Sequence, residues 1–199
     1  MSAPTGRRER KKQLTRQAIS DVATRLFLER GFDAVTVAEI AAAADVAVQT
    51  VFNHFPAKED LFFDDRLWVV GPAEAVAGAP GEPVDEVLRG HYRTTLAALR
   101  EKDYLPTYAR FQHTVAASPA LRARRAELVT EMQNLLAGAL AGGQPGWRHR
   151  LVAARFTAVR QVLDAELLRR LDEHPDDPDA VLDGLAAVLD EAFAGLDPR

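Results

Sequence analysis

Residues 36–55, TVAEIAAAADVAVQTVFNHF, predict two short helices joined by a tight turn. Thr36 and Glu39 have the spacing of a capping box, in which the threonine oxygen accepts a backbone N–H and the glutamate returns to the cap. A helix is therefore expected to begin at about Val37. Asp45 falls at the turn, where the chain needs a residue that tolerates a left-handed backbone conformation.

The second helix of this stretch carries an outward polar face. Val46 and Val51 are placed to anchor the helix inward, and four residues are expected to face out: Val48, Gln49, Phe52 and Asn53. A helix pair of this kind is typical of a helix-turn-helix, which places its second helix in the major groove of DNA. The four outward residues are therefore the candidate contacts to base edges and phosphates.

The charge of the chain is strongly polarised. Residues 1–30 hold eight Arg or Lys and three acidic residues, whereas the rest of the chain holds 17 basic and 26 acidic groups. A basic arm before a helix-turn-helix, on an otherwise acidic chain, indicates phosphate contact. Helical hairpins with capping boxes also occur in proteins that never bind DNA. The charge pattern is therefore needed as a second indication of DNA binding. A pI of about 5.8 argues against a general nucleic-acid coat protein.

Composition limits the remaining possibilities. A chain of 199 residues with 47% hydrophobic content suits one small and one medium helical domain, which we place at residues 1–56 and 57–199. The absence of cysteine excludes disulfides, thiolate zinc sites and cysteine nucleophiles. No apolar run approaches the ~18 to 20 residues that span a bilayer, and no apolar segment follows the charged N-terminus. We therefore expect a cytoplasmic protein without membrane contact.

Helical periodicity predicts an all-α chain of about nine helices without strands. A mobile leader over residues 1–6 precedes a first helix that ends at Gly31, and a fourth helix begins at Lys58 after Pro56. Residues 71–83 contain three Gly and three Pro, so we expect a loop or lid there. Five more helices are predicted, with a break at Asp103 between the first two: about 84–102, 105–117, 119–142, 147–173 and 179–195.

The run IAAAADVAVQTVFNHFPAKEDLF, residues 40–62, closely resembles the DNA-binding core of tetracycline-repressor-like (TetR-like) regulators. In that family a glycine such as Gly31 ends the first helix, a threonine such as Thr36 opens the second, and a lysine such as Lys58 opens the fourth. The resemblance is specific over roughly residues 15–63 and beyond them extends only to helix count and order. It implies an N-terminal three-helix DNA-binding domain and a C-terminal helical domain for ligand binding and dimerisation.

The chain departs from the family pattern at several positions. The family commonly has Gly, Ser, Gly and Tyr where this chain has Asp45, Ala47, Gln49 and Phe52. The last departure matters most, because a tyrosine hydroxyl would bond a DNA phosphate and Phe52 cannot. Phe52 is left with an apolar contact, for which a thymine methyl is the candidate. Other residues match family positions that hold the phosphate backbone or the groove edge: Thr36, Thr50, His54 and Lys58.

The last two predicted helices carry apolar residues that are candidates for a dimer interface: Phe156, Val159, Leu163, Leu185, Val188, Leu189, Ala192 and Phe193, with Leu196 continuing the stripe. The stripe of the last helix is wide enough to contact two partners. In the resembled family these helices form a four-helix bundle between subunits. A homodimer would place two recognition helices in major-groove turns about 34 Å apart. The alternative is that both helices pack only on their own subunit.

The central helices mix aromatic and polar side chains with apolar ones, and nine of these residues are candidates for an inducer site: Trp68, His91, Tyr92, Tyr108, Phe111, Gln112, His113, Phe156 and Arg160. Such a lining is typical of a small-molecule pocket. It favours an apolar or aromatic ligand, with His113 or Arg160 fixing a polar end. Each residue also has an ordinary interpretation as part of the core or surface. We expect no cofactor, no metal site and no enzyme activity, because no catalytic or ligand motif is present.

Together these patterns predict a homodimeric transcription regulator, most simply a repressor that a small molecule releases from a palindromic operator in double-stranded DNA. Two other classes stay open. A helical ligand carrier or enzyme would leave the basic arm and the exposed amides of Gln49 and Asn53 without a purpose. A non-sensing architectural DNA binder would show little sequence preference and no ligand response.

Overall fold

The computed structural model describes residues 5–100 and 104–194, and regular structure within these ranges is entirely α-helical. The described residues form eleven helices: α1 Thr5–Arg30, α2 Val37–Ala43, α3 Val48–His54, α4 Lys58–Phe62, α5 Leu67–Gly78, α6 Val84–Leu99, α7 Tyr104–Ala117, α8 Pro119–Ala141, α9 Trp147–Glu173, α10 Pro178–Ala186 and α11 Leu189–Phe193. The all-α class is confirmed. None of the helices in these ranges is long and apolar enough to cross a membrane.

The predicted count of about nine helices is too low because two predicted helices are each divided. The fourth becomes α4 and α5, and the last becomes α10 and α11. Three predictions fall wholly or partly outside the described residues: the leader over residues 1–6, the break at Asp103 and the apolar position Leu196.

The chain forms two compact units. The first contains the residues up to Asp65 together with Thr114–Arg122, and the second contains Arg66–His113 and the residues from Ala123 onward. The first unit continues past the predicted division between residues 56 and 57 because α4 packs on α1.

The core of the first unit is built on the inner face of α1. Ile19, Ala23 and Phe27 recur at helical spacing and are almost completely buried. The ring of Phe27 lies 5.1 Å from that of Phe32, and both rings contact Phe62 of α4. Burial of these rings holds α1 against the short helices that follow it.

Helix α5 corrects the predicted loop or lid over residues 71–83, because residues 71–78 are helical. Pro72 lies inside this helix and has no N–H to donate to the Trp68 carbonyl. Arg160 of α9 donates to that carbonyl instead, at 2.8 Å. The helix therefore continues through the proline because a side chain distant in sequence satisfies the freed acceptor.

The core of the second unit gathers α6, α9, α10 and α11. The ring of Phe193 lies 5.7 Å from that of Tyr92 and 6.0 Å from that of Phe156. Leu88 and Leu167 are fully buried in the same unit.

Several predicted dimer-interface residues belong to this core. Five are at most 5% exposed in the single chain: Phe156, Leu163, Leu185, Leu189 and Phe193. Their own subunit covers them, since α11 packs on α6 and α9, and α10 packs on α9. Packing within the chain accounts for the burial of these five side chains, and their assignment to a dimer interface stays a prediction. The other three predicted residues, Val159, Val188 and Ala192, are half-buried.

Candidate nucleic-acid interface

The start of α2 has the capping box that the sequence predicts. The Glu39 backbone N–H donates to Thr36 Oγ1 at 3.2 Å, and the Thr36 N–H donates to Glu39 Oε2 at 2.8 Å. Arg30, the last residue of α1, donates to the second oxygen of Glu39 at 2.8 Å. The Thr36 N–H and then Arg30 lower the pKa of Glu39 to about 2. The charged box thereby ties the start of α2 to the end of α1.

The turn between α2 and α3 has the predicted left-handed residue. Asp45 has φ of +53°, and the next N–H, that of Val46, donates to the Ala41 carbonyl at 3.0 Å. Val51 on the inner face of α3 is fully buried. The turn and this anchor fix which face of α3 points outward.

The outward face of α3 consists of two parallel rows. Val48 and Phe52 form an apolar row and are 41% and 42% exposed. Gln49 and Asn53 form an amide row beside it, in which Gln49 Nε2 donates to Asn53 Oδ1 at 3.2 Å. In each row the residues are four positions apart, and such residues are neighbours on a helix surface. Thr50, the next residue after Gln49, is half-buried.

Arg16 of α1 holds the end of α3, a role that the sequence analysis missed. Its guanidinium donates to the His54 carbonyl at 2.8 Å, forms an ion pair with Asp64, and lies 4.0 Å from the centre of the Phe55 ring. The sequence indicated phosphate contact for the basic arm as a whole and assigned no separate role to Arg16. The available signal was spacing, because Arg16 lies three residues before Ile19 on the inner side of α1.

His54 and Lys58 lie in partly desolvated places. Burial lowers the pKa of His54, and the nearby cations Lys12 and Arg16 lower that pKa further. Both effects favour the neutral form of the imidazole. The Lys58 ammonium lies 4.1 Å from the centre of the Phe32 ring, and burial lowers its pKa. Thr36 is exposed at the start of α2.

In the second unit, several predicted ligand residues surround Asp164, which the sequence analysis did not select. The Tyr92 hydroxyl donates to Asp164 Oδ1 at 3.0 Å, and Arg160 Nε lies 3.5 Å from Oδ2. Arg125, also missed, lies 3.9 Å from the same oxygen and donates to Gln112 Oε1 at 2.6 Å. We call Tyr92, Gln112, Arg125, Arg160 and Asp164 the Asp164 cluster. Burial, followed by the Asp164 charge, raises the pKa of Tyr92.

Three more predicted residues lie beside this cluster. The Arg160 guanidinium carbon lies 5.3 Å from the centre of the Trp68 ring. Burial and then Arg160 lower the pKa of His91, while burial and then the Asp164 charge raise that of Tyr108. A Cβ at Gly71 would lie 2.7 Å from His91 Cε1, so a larger residue at position 71 would require the His91 ring to move.

Three predicted ligand residues remain: His113, Phe156 and Phe111. His113 is half-exposed and pairs with Asp172 at 3.1 Å, and Phe156 belongs to the core around Phe193. Phe111 is half-buried. Arg160 and Asp164 are four residues apart on α9, and that pairing was the sequence signal for the missed carboxylate.

A capped helix pair with an exposed second helix, in an all-helical chain, defines the helix-turn-helix class of DNA-binding regulators. Comparison with known proteins supports this class. Residues 19–64 match the family of bacterial regulatory proteins called tetR. The chain is 30% identical over 192 residues to an HTH-type transcriptional repressor of Mycobacterium tuberculosis, Rv1474c, covering 92% of this chain and 85% of the relative. The chain belongs to the TetR family of transcriptional regulators, which are not enzymes.

A second relative is similar in sequence, and a solved structure is similar in fold. The chain is 26% identical to the HTH-type transcriptional regulator TcmR of Streptomyces glaucescens, covering 98% of this chain and 88% of that protein. The fold is similar to that of NalD, the secondary repressor of the MexAB-OprM multidrug efflux pump in Pseudomonas aeruginosa. For NalD the TM-score is 0.60 and the sequence identity 22%, covering 92% of this chain and 97% of NalD.

Proposed function

We propose that this regulator is a repressor that binds a palindromic operator as a homodimer and leaves it when a small apolar or aromatic molecule binds. The outward face of α3 carries the proposal. Its exposed amide row, Gln49 and Asn53, suits base edges in the major groove. The basic residues of α1 supply attraction to phosphate, and Lys12 lies close enough to His54 to lower its pKa.

Different residues have different roles in this proposal. Gln49 and Asn53 discriminate bases, and each good bidentate contact contributes ~1 to 3 kcal/mol of discrimination. Val48 and Phe52 add apolar contacts in the groove. Four residues hold the phosphate backbone or the groove edge: Thr36, Thr50, His54 and Lys58. Lys58 rests on the Phe32 ring in the free protein, so a phosphate contact requires its flexible side chain to move away from the ring.

Two substitutions separate these roles in a DNA-binding titration. Gln49→Ala should relax the preference between bases, because it removes a base-reading amide without removing charge. Lys58→Ala should weaken all sequences about equally and lower the slope of affinity against salt by about one contact. Both are measured by fluorescence anisotropy on selected operator DNA and on scrambled DNA.

The control for these titrations is Gln17→Ala, on the exposed surface of α1. An unchanged preference in Gln49→Ala would contradict the base-reading role. Tight binding of the wild type with no sequence preference would favour an architectural DNA binder, and no DNA binding would favour a ligand carrier.

The homodimer is supported by an exposed apolar surface on α9, which we call the α9 stripe. Six exposed residues recur at spacings of three and four: Trp147, Leu151, Ala154, Ala158, Val162 and Ala165. Trp147 is 70% exposed, Leu151 49% and Val162 69%. The stripe extends about 27 Å at 1.5 Å per residue. Its central alanines let a second helix come close, so another copy of the same stripe is a suitable partner.

The Asp164 cluster supports the ligand part of the proposal. Aromatic rings and ionised groups converge within one unit, a combination that can orient a ligand with an apolar body and one polar end. Arg160 links this cluster to α5 through the Trp68 carbonyl. A ligand that displaced Arg160 would free that carbonyl beside Pro72. The ligand could shift the protein to the released state only by binding that state more tightly, typically by ~1 to 3 kcal/mol.

A ligand screen tests this part separately. Purified full-length protein on fluorescent operator DNA should be released by members of a panel of apolar and aromatic metabolites and antibiotics. Arg160→Met should change the ligand concentration for half release while leaving operator affinity without ligand close to that of the wild type. Operator binding that no compound affects would indicate a regulator controlled by its abundance alone.

A further inference from the structure

Helix α3 has an unusual composition for a helix that contacts DNA bases. Its sequence, VQTVFNH, contains neither Arg nor Lys. Arginine or lysine paired with guanine O6 and N7 is the commonest base-specific contact in the major groove. The outward amides of Gln49 and Asn53 instead suit adenine, whose N7 accepts and whose N6 donates. The composition of α3 therefore favours adenine over guanine.

The apolar row of α3 gives a second, independent observation. Val48 and Phe52 keep 41% and 42% of their surface exposed, although apolar side chains on a folded surface normally gain from being covered. The thymine C5-methyl is the apolar group that base edges present in the major groove. Phe52 has no hydroxyl to direct towards a phosphate, so a methyl contact is the interaction its exposed ring can make.

The two rows match the edge of an A·T pair when they are taken together. Across the major groove such a pair presents the adenine acceptor and donor beside the thymine O4 and methyl. The amide row and the apolar row lie side by side on α3, one residue apart in sequence. The hydrogen bond between Gln49 Nε2 and Asn53 Oδ1 leaves an acceptor on Gln49 and donors on Asn53. An adenine edge requires one of each.

We propose that the operator half-site beneath α3 is a run of consecutive A·T pairs, and that Val48 and Phe52 recognise thymine methyl groups within it. The inference rests on the proposed DNA-binding function and specifies the base chemistry of that same surface. The two other polar residues of α3, Thr50 and His54, are half-buried and are assigned to the groove edge.

The first experiment selects binding sites from random duplex DNA with the full-length protein, then maps the protected bases by footprinting. A·T pairs should dominate the positions where the Gln49→Ala and Phe52→Ala variants lose preference. Selected sites with guanine at those positions would overturn the inference and leave the proposed regulator function intact. Failure to select any sequence would contradict the proposed function itself.

The second experiment removes only the methyl groups, by replacing each thymine of the selected half-site with deoxyuridine. Loss of one buried methyl should weaken wild-type binding about fourfold, which corresponds to ~0.8 kcal/mol per buried carbon group. Phe52→Ala should weaken binding to thymine DNA and be insensitive to deoxyuridine at its own position, whereas Phe52→Leu should keep part of the sensitivity. Gln49→Ala, the matched polar control, should keep all of it.

Deoxyuridine outside the protected bases should have no effect, because no side chain of α3 contacts those methyl groups. Equal wild-type affinity for thymine and deoxyuridine at every protected position would overturn the methyl contacts. This comparison uses unmodified protein, so it does not depend on whether a variant folds. Circular dichroism of Phe52→Ala confirms that the exposed position can be truncated without loss of helix.

Discussion

The two apolar faces of α9 differ in what covers them. On the inner face Val152, Phe156 and Leu167 are at most 3% exposed because α10, α11 and the rest of the second unit cover them. On the outer face Trp147 and Val162 are 70% and 69% exposed. The inner face therefore stabilises the fold of one chain, while the outer face is available to a second copy. Apolar character alone does not distinguish these two uses.

The largest expected effect is on the covered side. Leu189 of α11 is fully buried. Leu189→Asp would place an unpaired carboxylate in that core and should lower the free energy of unfolding by about 3 to 5 kcal/mol. Urea denaturation followed by circular dichroism measures the loss, with Ala187→Asp at an exposed neighbouring position as the control. Because the proposed dimerisation would also stabilise the folded chain, both proteins are compared at one concentration.

A charge on the outer face should act differently. Val162→Asp would remove two valines from the proposed symmetric interface and should weaken dimerisation by about 3 kcal/mol or more, at ~1.5 kcal/mol for each valine. The helical content of each chain should remain that of the wild type. Sedimentation velocity over a concentration series measures the dissociation constant, with Ala98→Asp on the exposed side of α6 as the control.

The paired variants also decide between the two surfaces. If the Val162→Asp protein were dimeric and well folded while the Leu189→Asp protein were monomeric and well folded, the dimer interface would lie on the predicted last helix, residues 179–195. That result would require α11 to leave the core in which Phe193 contacts Tyr92 and Phe156.

Short sequence spacings predicted the first unit well because local hydrogen bonds determine its structure. The Thr36–Glu39 box, the left-handed Asp45 and the end of α1 at Gly31 each depend on residues within a few positions. Arg16 was missed because its partners Asp64 and the His54 carbonyl lie 48 and 38 residues away. Local sequence patterns therefore predicted the helices and turns of this unit. The role of a cation such as Arg16 depends on long-range contacts, which sequence spacing does not show.

The second unit was less predictable because tertiary contacts determine several of its helices. Pro72 predicted a loop, but Arg160, 92 residues after Trp68, satisfies the carbonyl that the proline leaves free. Asp164 resembled an ordinary surface acid until Tyr92 and Arg160 were placed around it. The α9 stripe was missed because the helix is apolar on two faces, so its periodicity does not define a single buried side.

The capping box at the start of α2 is a solvent-accessible interaction that stabilises only one helix end, so its loss should cost least. Glu39 is charged and exposed to solvent, and its pKa is lowered to about 2 from 4.5 by the Thr36 N–H and by Arg30. A group whose pKa is lower in the folded state adds stability above its unfolded pKa and loses that contribution as the pH falls. Glu39→Gln should therefore destabilise the protein most above about pH 4.5.

The difference between Glu39→Gln and the wild type should shrink as the pH falls from about 4.5 towards about 2, because protonation removes the same charge from the wild type. Thr36→Ala, which removes the other half of the box, should cost about 1 kcal/mol at neutral pH. Thermal denaturation across this pH range measures both, with Glu29→Gln on the exposed face of α1 as the charge-matched control. A Glu39→Gln difference near zero at every pH would show that the amide replaces the carboxylate as a cap and that the charge contributes nothing.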